Sequence, residues 1–116
     1  MTQIWVDADA CPVPVKDMLI RAAERTRVQI TFVANQPIRL PAGLPMNAVQ
    51  VPPGFDVADN YIVQHAKAKD LVITQDIPLA AEVVKLGVVA VSPRGQLHTP
   101  ESIGQRLAMR DLMSDL

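Results

Sequence analysis

The chain has 116 residues, enough for one domain with one packed core. Its net charge of −1 excludes a global pull toward nucleic acid or an anionic membrane, so any polyanion must meet a local basic patch. A single cysteine, Cys11, excludes an intrachain disulfide, and the absence of a leader-like or membrane-spanning apolar run makes a cytoplasmic location the expectation.

Aromatic residues are only 3% of the chain, so Val, Ile, Leu and Ala must build the core. Gln3 to Ala8 reads as a strand, ended by Asp9-Ala10-Cys11-Pro12. Val15, Met18, Leu19, Ala22 and Ala23 then recur with helical spacing, and Pro14 suits the first turn. Val28 to Ala34 is a second strand with Asn35 at its end. Pro37, Pro41 and Pro45 argue against a regular element over 36–46. Asn47 to Val51 forms a third strand, ended by Pro52-Pro53-Gly54. Asp56 is placed to cap a helix whose inner face is Ala58, Tyr61, Ile62 and His65.

Leu71 to Thr74 has the short apolar character of a central parallel strand. Pro78 opens a helix with Leu79, Val83 and Leu86 inward, and Gly87 ends it. Val88 to Val91 is a fifth strand. Thr99-Pro100-Glu101 starts a last helix carrying Ile103, Leu107 and Leu112. It shows no stop signal before Leu116, so the expectation is a domain edge lost or frayed there. Strands alternate with helices, which predicts one α/β domain over 1–116, Rossmann-like and three-layered, with a mainly parallel five-stranded sheet.

In such a sheet the C-terminal strand ends form one ligand-binding edge. Asp7 and Asp9 end the first strand, Asp56 and Asp59 open the helix after the third, and Asp76 ends the fourth. Asp7 and Asp9 share a side if the chain stays extended between them. Asp56 and Asp59, three apart, share a helix face. All five meet at one notch if the first and fourth strands are neighbours. Two carboxylates ~4 Å apart repel by about 4 kcal/mol at an effective dielectric near 20. Several such pairs rival a domain's stability of ~5–15 kcal/mol.

A hard divalent cation would relieve this, and oxygen-only ligands favour Mg2+ or Mn2+ over Zn2+. Such ions bind phosphate oxygens and activate water, so the pattern points to phosphoester chemistry. The plainer alternative is that Asp56 and Asp76 only cap helices and Asp59 only complements a macrodipole. Asp7-Ala8-Asp9 resists that account, because a cap needs one acid.

Asn35, Arg94 and Lys16 are the substrate-binding candidates. Asn35 and Arg94 follow strands on the same edge, and an Arg there can grip phosphate bidentately. Lys16 lies in the first turn of the first helix, where a solvated position is the alternative. A thiol-phosphatase role for Cys11 fails, because 11–17 contains no Arg and two prolines remove amide donors. His65 reads as a core histidine on an apolar helix face, and His98 as a loop residue.

Four segments together resemble the bacterial YaiI/YqxD family. They are Val6-Asp7-Ala8-Asp9-Ala10-Cys11-Pro12, Gly54-Phe55-Asp56-Val57-Ala58-Asp59, Thr74-Gln75-Asp76-Ile77-Pro78-Leu79-Ala80 and Pro93-Arg94-Gly95. That family is similar to PIN-like nucleases, close to the NYN group. The resemblance implies a Rossmann-like sheet and an acid pocket binding Mg2+ or Mn2+ for RNA cleavage. It implies metal ligands at Asp7, Asp9, Asp56, Asp59 and Asp76, with Asp7, Asp9 and Asp76 catalytic. The short proline-rich connection departs from PIN domains that carry more helix there.

Two other functions compete. One is a haloacid-dehalogenase-like phosphatase with Asp7 as nucleophile and Asp9 as general acid, although Ala34-Asn35 stands where a Thr or Ser should end the second strand. The other is a non-catalytic RNA- or partner-binding module that keeps the acid pocket.

Overall fold

A computed structural model describes residues 2–54 and 56–114. The elements are β1 (Gln3–Asp7), a 3-10 turn (Ala8–Ala10), α1 (Val13–Thr26), β2 (Gln29–Ala34), β3 (Met46–Gln50) and α2 (Val57–His65). They continue with β4 (Leu71–Ile73), α3 (Ile77–Lys85), β5 (Val89–Val91), β6 (Leu97–His98) and α4 (Pro100–Ser114). The predicted α/β architecture is present. One strand was not anticipated: β6 is two residues long and pairs antiparallel with β5, so the sheet has six strands. A two-residue strand carries no periodicity to read.

The strand order is β3-β2-β1-β4-β5-β6, and every pair except β5–β6 is parallel. The chain steps outward from β1 through β2 to β3, then returns to the other side of β1 for β4. That reversal is a topological switch point, where a crevice opens at the strand ends. β1 and β4 are paired from Ile4↔Leu71 to Val6↔Ile73, so Asp7 and Thr74 leave the sheet side by side.

Helices cover both faces. Leu19 and Ala23 of α1 pack on Val6, Ile30, Phe32 and Ile73. On the opposite face Ile62 of α2, Leu79, Ala80 and Val83 of α3 and Ile103 of α4 pack on Trp5, Val33, Val72 and Ala90. The irregular stretch 35–45 takes the place of a crossover helix, and its Ile38 and Leu40 lie against the α1-side core. At the opposite end of the sheet, buried Asp70 accepts from the amides of Gln3 and Lys67 and from Trp5 Nε1, at 3.1, 2.9 and 3.1 Å. Burial alone would push this carboxyl up, but the three donors outweigh it and hold its pKa below the ordinary value.

Several inward assignments need correction. Met18, Leu86 and Leu112 are exposed at 56%, 51% and 57%. Met18 and Leu112 have the right spacing, but the apolar stripe of each helix is wider than the area its neighbours cover, whereas Leu86 lies past the end of α3 as its C-cap. His65 is also exposed rather than a core residue, and it stacks on Tyr61 with ring centroids 3.9 Å apart. His98 is buried at 3% exposure in β6 rather than free in a loop.

Candidate functional site

The three acid segments meet where the topology requires. Asp7, Asp9, Asn35, Asp56, Asp59 and Asp76 line one cavity of about 260 Å³, closed on its other sides by Val51, Pro52, Gly54, Val57 and Ala58. No lining residue among those described is cationic.

Each acid reaches the cavity differently. Asp7 is the last residue of β1 and is 7% exposed. Thr74 Oγ1 donates to its Oδ2 at 2.9 Å. The same hydroxyl oxygen accepts from the Asp76 amide at 2.9 Å, which fixes its rotor and ties the ends of β1 and β4 together. Thr74, not singled out from the sequence, is the residue that positions Asp7 at the cavity. Its signal is a hydroxyl ending an apolar strand two residues before an acid.

Asp9 does not share a side with Asp7 through strand alternation, as expected. The chain folds into the 3-10 turn immediately after Asp7, and the turn brings Asp9 to the cavity. There Asp9 Oδ2 accepts from the Asn35 amide at 2.9 Å, linking the ends of β1 and β2.

Asp56 is not the side-chain cap that its position suggested. Its backbone is left-handed, φ 62°, and its carboxylate makes no capping bond to α2. A non-glycine residue in that region is uncommon. Gly54 before it has φ 151°, and a Cβ there would stand 3.0 Å from Val57 Cγ2. Asp76, in contrast, does cap: its Oδ1 accepts from the Leu79 amide at 3.0 Å while the residue also lines the cavity. Capping and cavity lining thus coincide in one residue.

The electrostatics are those of uncompensated negative charge. Burial raises the Asp7 pKa, the Thr74 hydrogen bond opposes this, and Asp76 and Asp9 add to the rise. Asp59 is pushed up to about 7, first by burial, then by Asp76 and Asp7, by a hydrogen bond to Asp76 and by Asp56. A mere complement to the α2 dipole would be held down instead. The Cys11 thiol is raised by burial and by Asp7, away from nucleophilic character.

Carboxylates and an amide oxygen are hard donors, and their chemistry fits Mg2+ or Mn2+. Asp7, Asp9 and Asp76 are each turned to a protein donor, and among the described residues no three His, Cys, Asp or Glu side chains converge as a ready ligand set. Loading an ion therefore requires carboxylates to turn. Lys16 and Arg94 do not line this cavity. Arg94 lines a neighbouring recess with Arg106.

Fold and site together define a Rossmann-like α/β domain with a carboxylate-lined notch at its switch point. The family model described as "Uncharacterized BCR, YaiI/YqxD family" matches residues 5–116. The chain belongs to that family. It is 59% identical to a "UPF0178 protein" of Psychromonas ingrahamii over 113 residues, 97% of this chain and 75% of the relative. Relatives of the same description from Thioalkalivibrio sulfidiphilus and Halorhodospira halophila are 59% and 58% identical over 114 residues. Each alignment covers 98% of this chain, and 78% and 76% of the relative respectively. No solved structure matches the chain. Among the described residues no helix is long and apolar enough to cross a membrane.

Proposed function

We propose that the protein is a divalent-metal-dependent nuclease acting on RNA phosphodiesters in the cytoplasm. The observation that carries this reading is Asp59, pushed up to about 7 in a cavity lined by four other aspartates and by no described cation. A site of that kind gains stability from a bound cation, and its oxygen donors select Mg2+ or Mn2+. Asp7, Asp59 and Asp76 would hold the ion, with Asp9 and Asp56 completing its surroundings. When bound, the ion supplies charge for a phosphodiester oxygen and lowers the pKa of water.

The chain's own residues do the rest. Thr74 keeps Asp7 oriented, and the α3 amide of Leu79 keeps Asp76 at the cavity edge. Asp59, pushed up to about 7 by burial and its acidic neighbours, would give up its proton when the ion binds. The phosphatase alternative draws no support from the cavity, since Asp7 is buried, engaged by Thr74, and faces no described phosphate-binding cation.

The test is hydrolysis of single-stranded and structured RNA with Mn2+ or Mg2+. Turnover should depend on the metal and disappear in the Asp7→Asn, Asp76→Asn double variant. Undiminished turnover in that variant sinks the reading. Tight metal binding with no turnover on any RNA would instead favour the non-catalytic module.

A further inference from the structure

The acid cavity is one of four recesses that run side by side along the strand ends. It shares Asp9 and Asn35 with a recess of about 340 Å³ beside Pro37. It shares Asp56 and Asp76 with one of about 420 Å³ that Arg110 of α4 also lines. That recess shares Gln75 with a fourth, of about 170 Å³, between the β5–β6 turn and α4.

The fourth recess has the opposite charge. Arg94 and Arg106 line it with Ser92, Gln96, His98 and Gln75, and none of its described lining residues is acidic. Both arginines are positioned by structure. Arg94 sits in a tight turn: the Ser92 amide donates to the Gln96 carbonyl oxygen at 2.8 Å, and the Gln96 amide donates to Ser92 Oγ at 3.1 Å. Gly95, at φ 89°, permits that turn.

Arg106 is held by His98. The Nε2 of this buried ring lies 3.0 Å from the Thr74 carbonyl oxygen, so Nε2 must carry the proton. Its Nδ1 lies 3.2 Å from Arg106 Nη1, a permanent donor, so Nδ1 must present a lone pair. The network therefore assigns a neutral imidazole. A neutral acceptor orients the guanidinium without cancelling its charge, as a carboxylate would. Thr74 joins the two sites, since its hydroxyl holds Asp7 while its carbonyl holds His98.

Paired guanidiniums with a hydroxyl and amides suit a phosphate group. The recess is smaller than the ~300–1,000 Å³ of sites that enclose a whole small ligand, so it fits one such group rather than a nucleotide. We propose that the Arg94–Arg106 recess is an anion subsite for a backbone phosphate of single-stranded polynucleotide, whose chain continues past Gln75 and Arg110 into the acid cavity. The identity of the polyanion rests on the nuclease reading above. A flexible single strand can turn its phosphates into adjoining recesses at less cost than a stiff duplex.

The experiment is fluorescence anisotropy of a short labelled single-stranded RNA in EDTA, across about 50 to about 200 mM salt. We expect Arg94→Gln, Arg106→Gln to weaken binding about tenfold at low salt. The slope of log affinity against log salt should fall by about 0.7, the value for one phosphate on a single strand. Arg94→Gln alone, on an exposed turn, should show part of the loss even if Arg106→Gln disturbs α4. Unchanged affinity and slope in both variants overturn the proposal. So does equal binding of a duplex, or arginine-dependent binding of inorganic phosphate by a protein that does not bind RNA. Arginine-dependent RNA binding without hydrolysis by any preparation keeps the subsite and sinks the nuclease reading. Hydrolysis with arginine-independent binding does the reverse.

Discussion

Asp59→Asn should stabilise the metal-free protein at pH 8, and by less than half as much at pH 5. The Asp59 pKa rises from 3.8 to about 7, so the folded state binds a proton more tightly than the unfolded chain. Wherever the folded state holds the extra proton, stability falls as pH rises. The loss begins above the unfolded value and is complete once pH has passed about 7. A shift of about three pH units corresponds to about 4 kcal/mol at full ionisation. Partial exposure and salt screening reduce this to about 1–2 kcal/mol. Asparagine keeps a donor for Asp76 and removes only the charge. For a domain of this size the variant should melt roughly 3–10 °C higher at pH 8. Calorimetry in EDTA at pH 5, 6, 7 and 8 tests this. A wild-type melting temperature flat across that range, or an Asp59→Asn variant less stable at pH 8, would refute the electrostatic account of the cavity.

Two further outcomes follow, one from the cavity and one from the opposite end of the sheet. Mn2+ or Mg2+ should raise the melting temperature, by the equivalent of about 2.7 kcal/mol at a hundred times the dissociation constant. The rise should shrink from pH 8 to pH 5.5, because protons compete for Asp59 and Asp7; a pH-independent rise in thermal scans would place the ion elsewhere. Asp70→Ala should cost about 2–4 kcal/mol in urea unfolding, since it strands the Trp5 indole and two amides. The Asp70 pKa is lowered, so its contribution is present above the ordinary carboxylate range and is lost as pH falls through the folded value. The variant should therefore lose less stability than wild type below about pH 4; parallel acid limbs would contradict this.

The element order was legible in the sequence because helix and strand periods are local. β1 through β5 and all four helices lie within a few residues of their predicted positions. The acids were legible too, since each stands at an element end. Burial was less so. Leu86 and Leu112 obey the helical spacing, yet Leu86 falls at the C-cap of α3 and Leu112 in α4 meets no covering neighbour among the described residues, and both are exposed. Asp56 has a capping residue's sequence context, but the Gly54 turn delivers it in a left-handed conformation that turns the cap away.

By itself, then, the sequence determined an alternating α/β chain with five aspartates at strand–helix junctions, because those features follow from spacing along the chain. Tertiary structure decided the rest. Only the β1–β4 pairing sets Thr74 beside Asp7, and only the return of the chain to that side of β1 brings Asp59 against Asp76. Only α4 packing over the β5–β6 turn places Arg106 with Arg94, away from the acids rather than among them. Charge interactions weaken with distance and are screened beyond about 10 Å, so residues far apart in sequence acquire shared chemistry only when the fold brings them close.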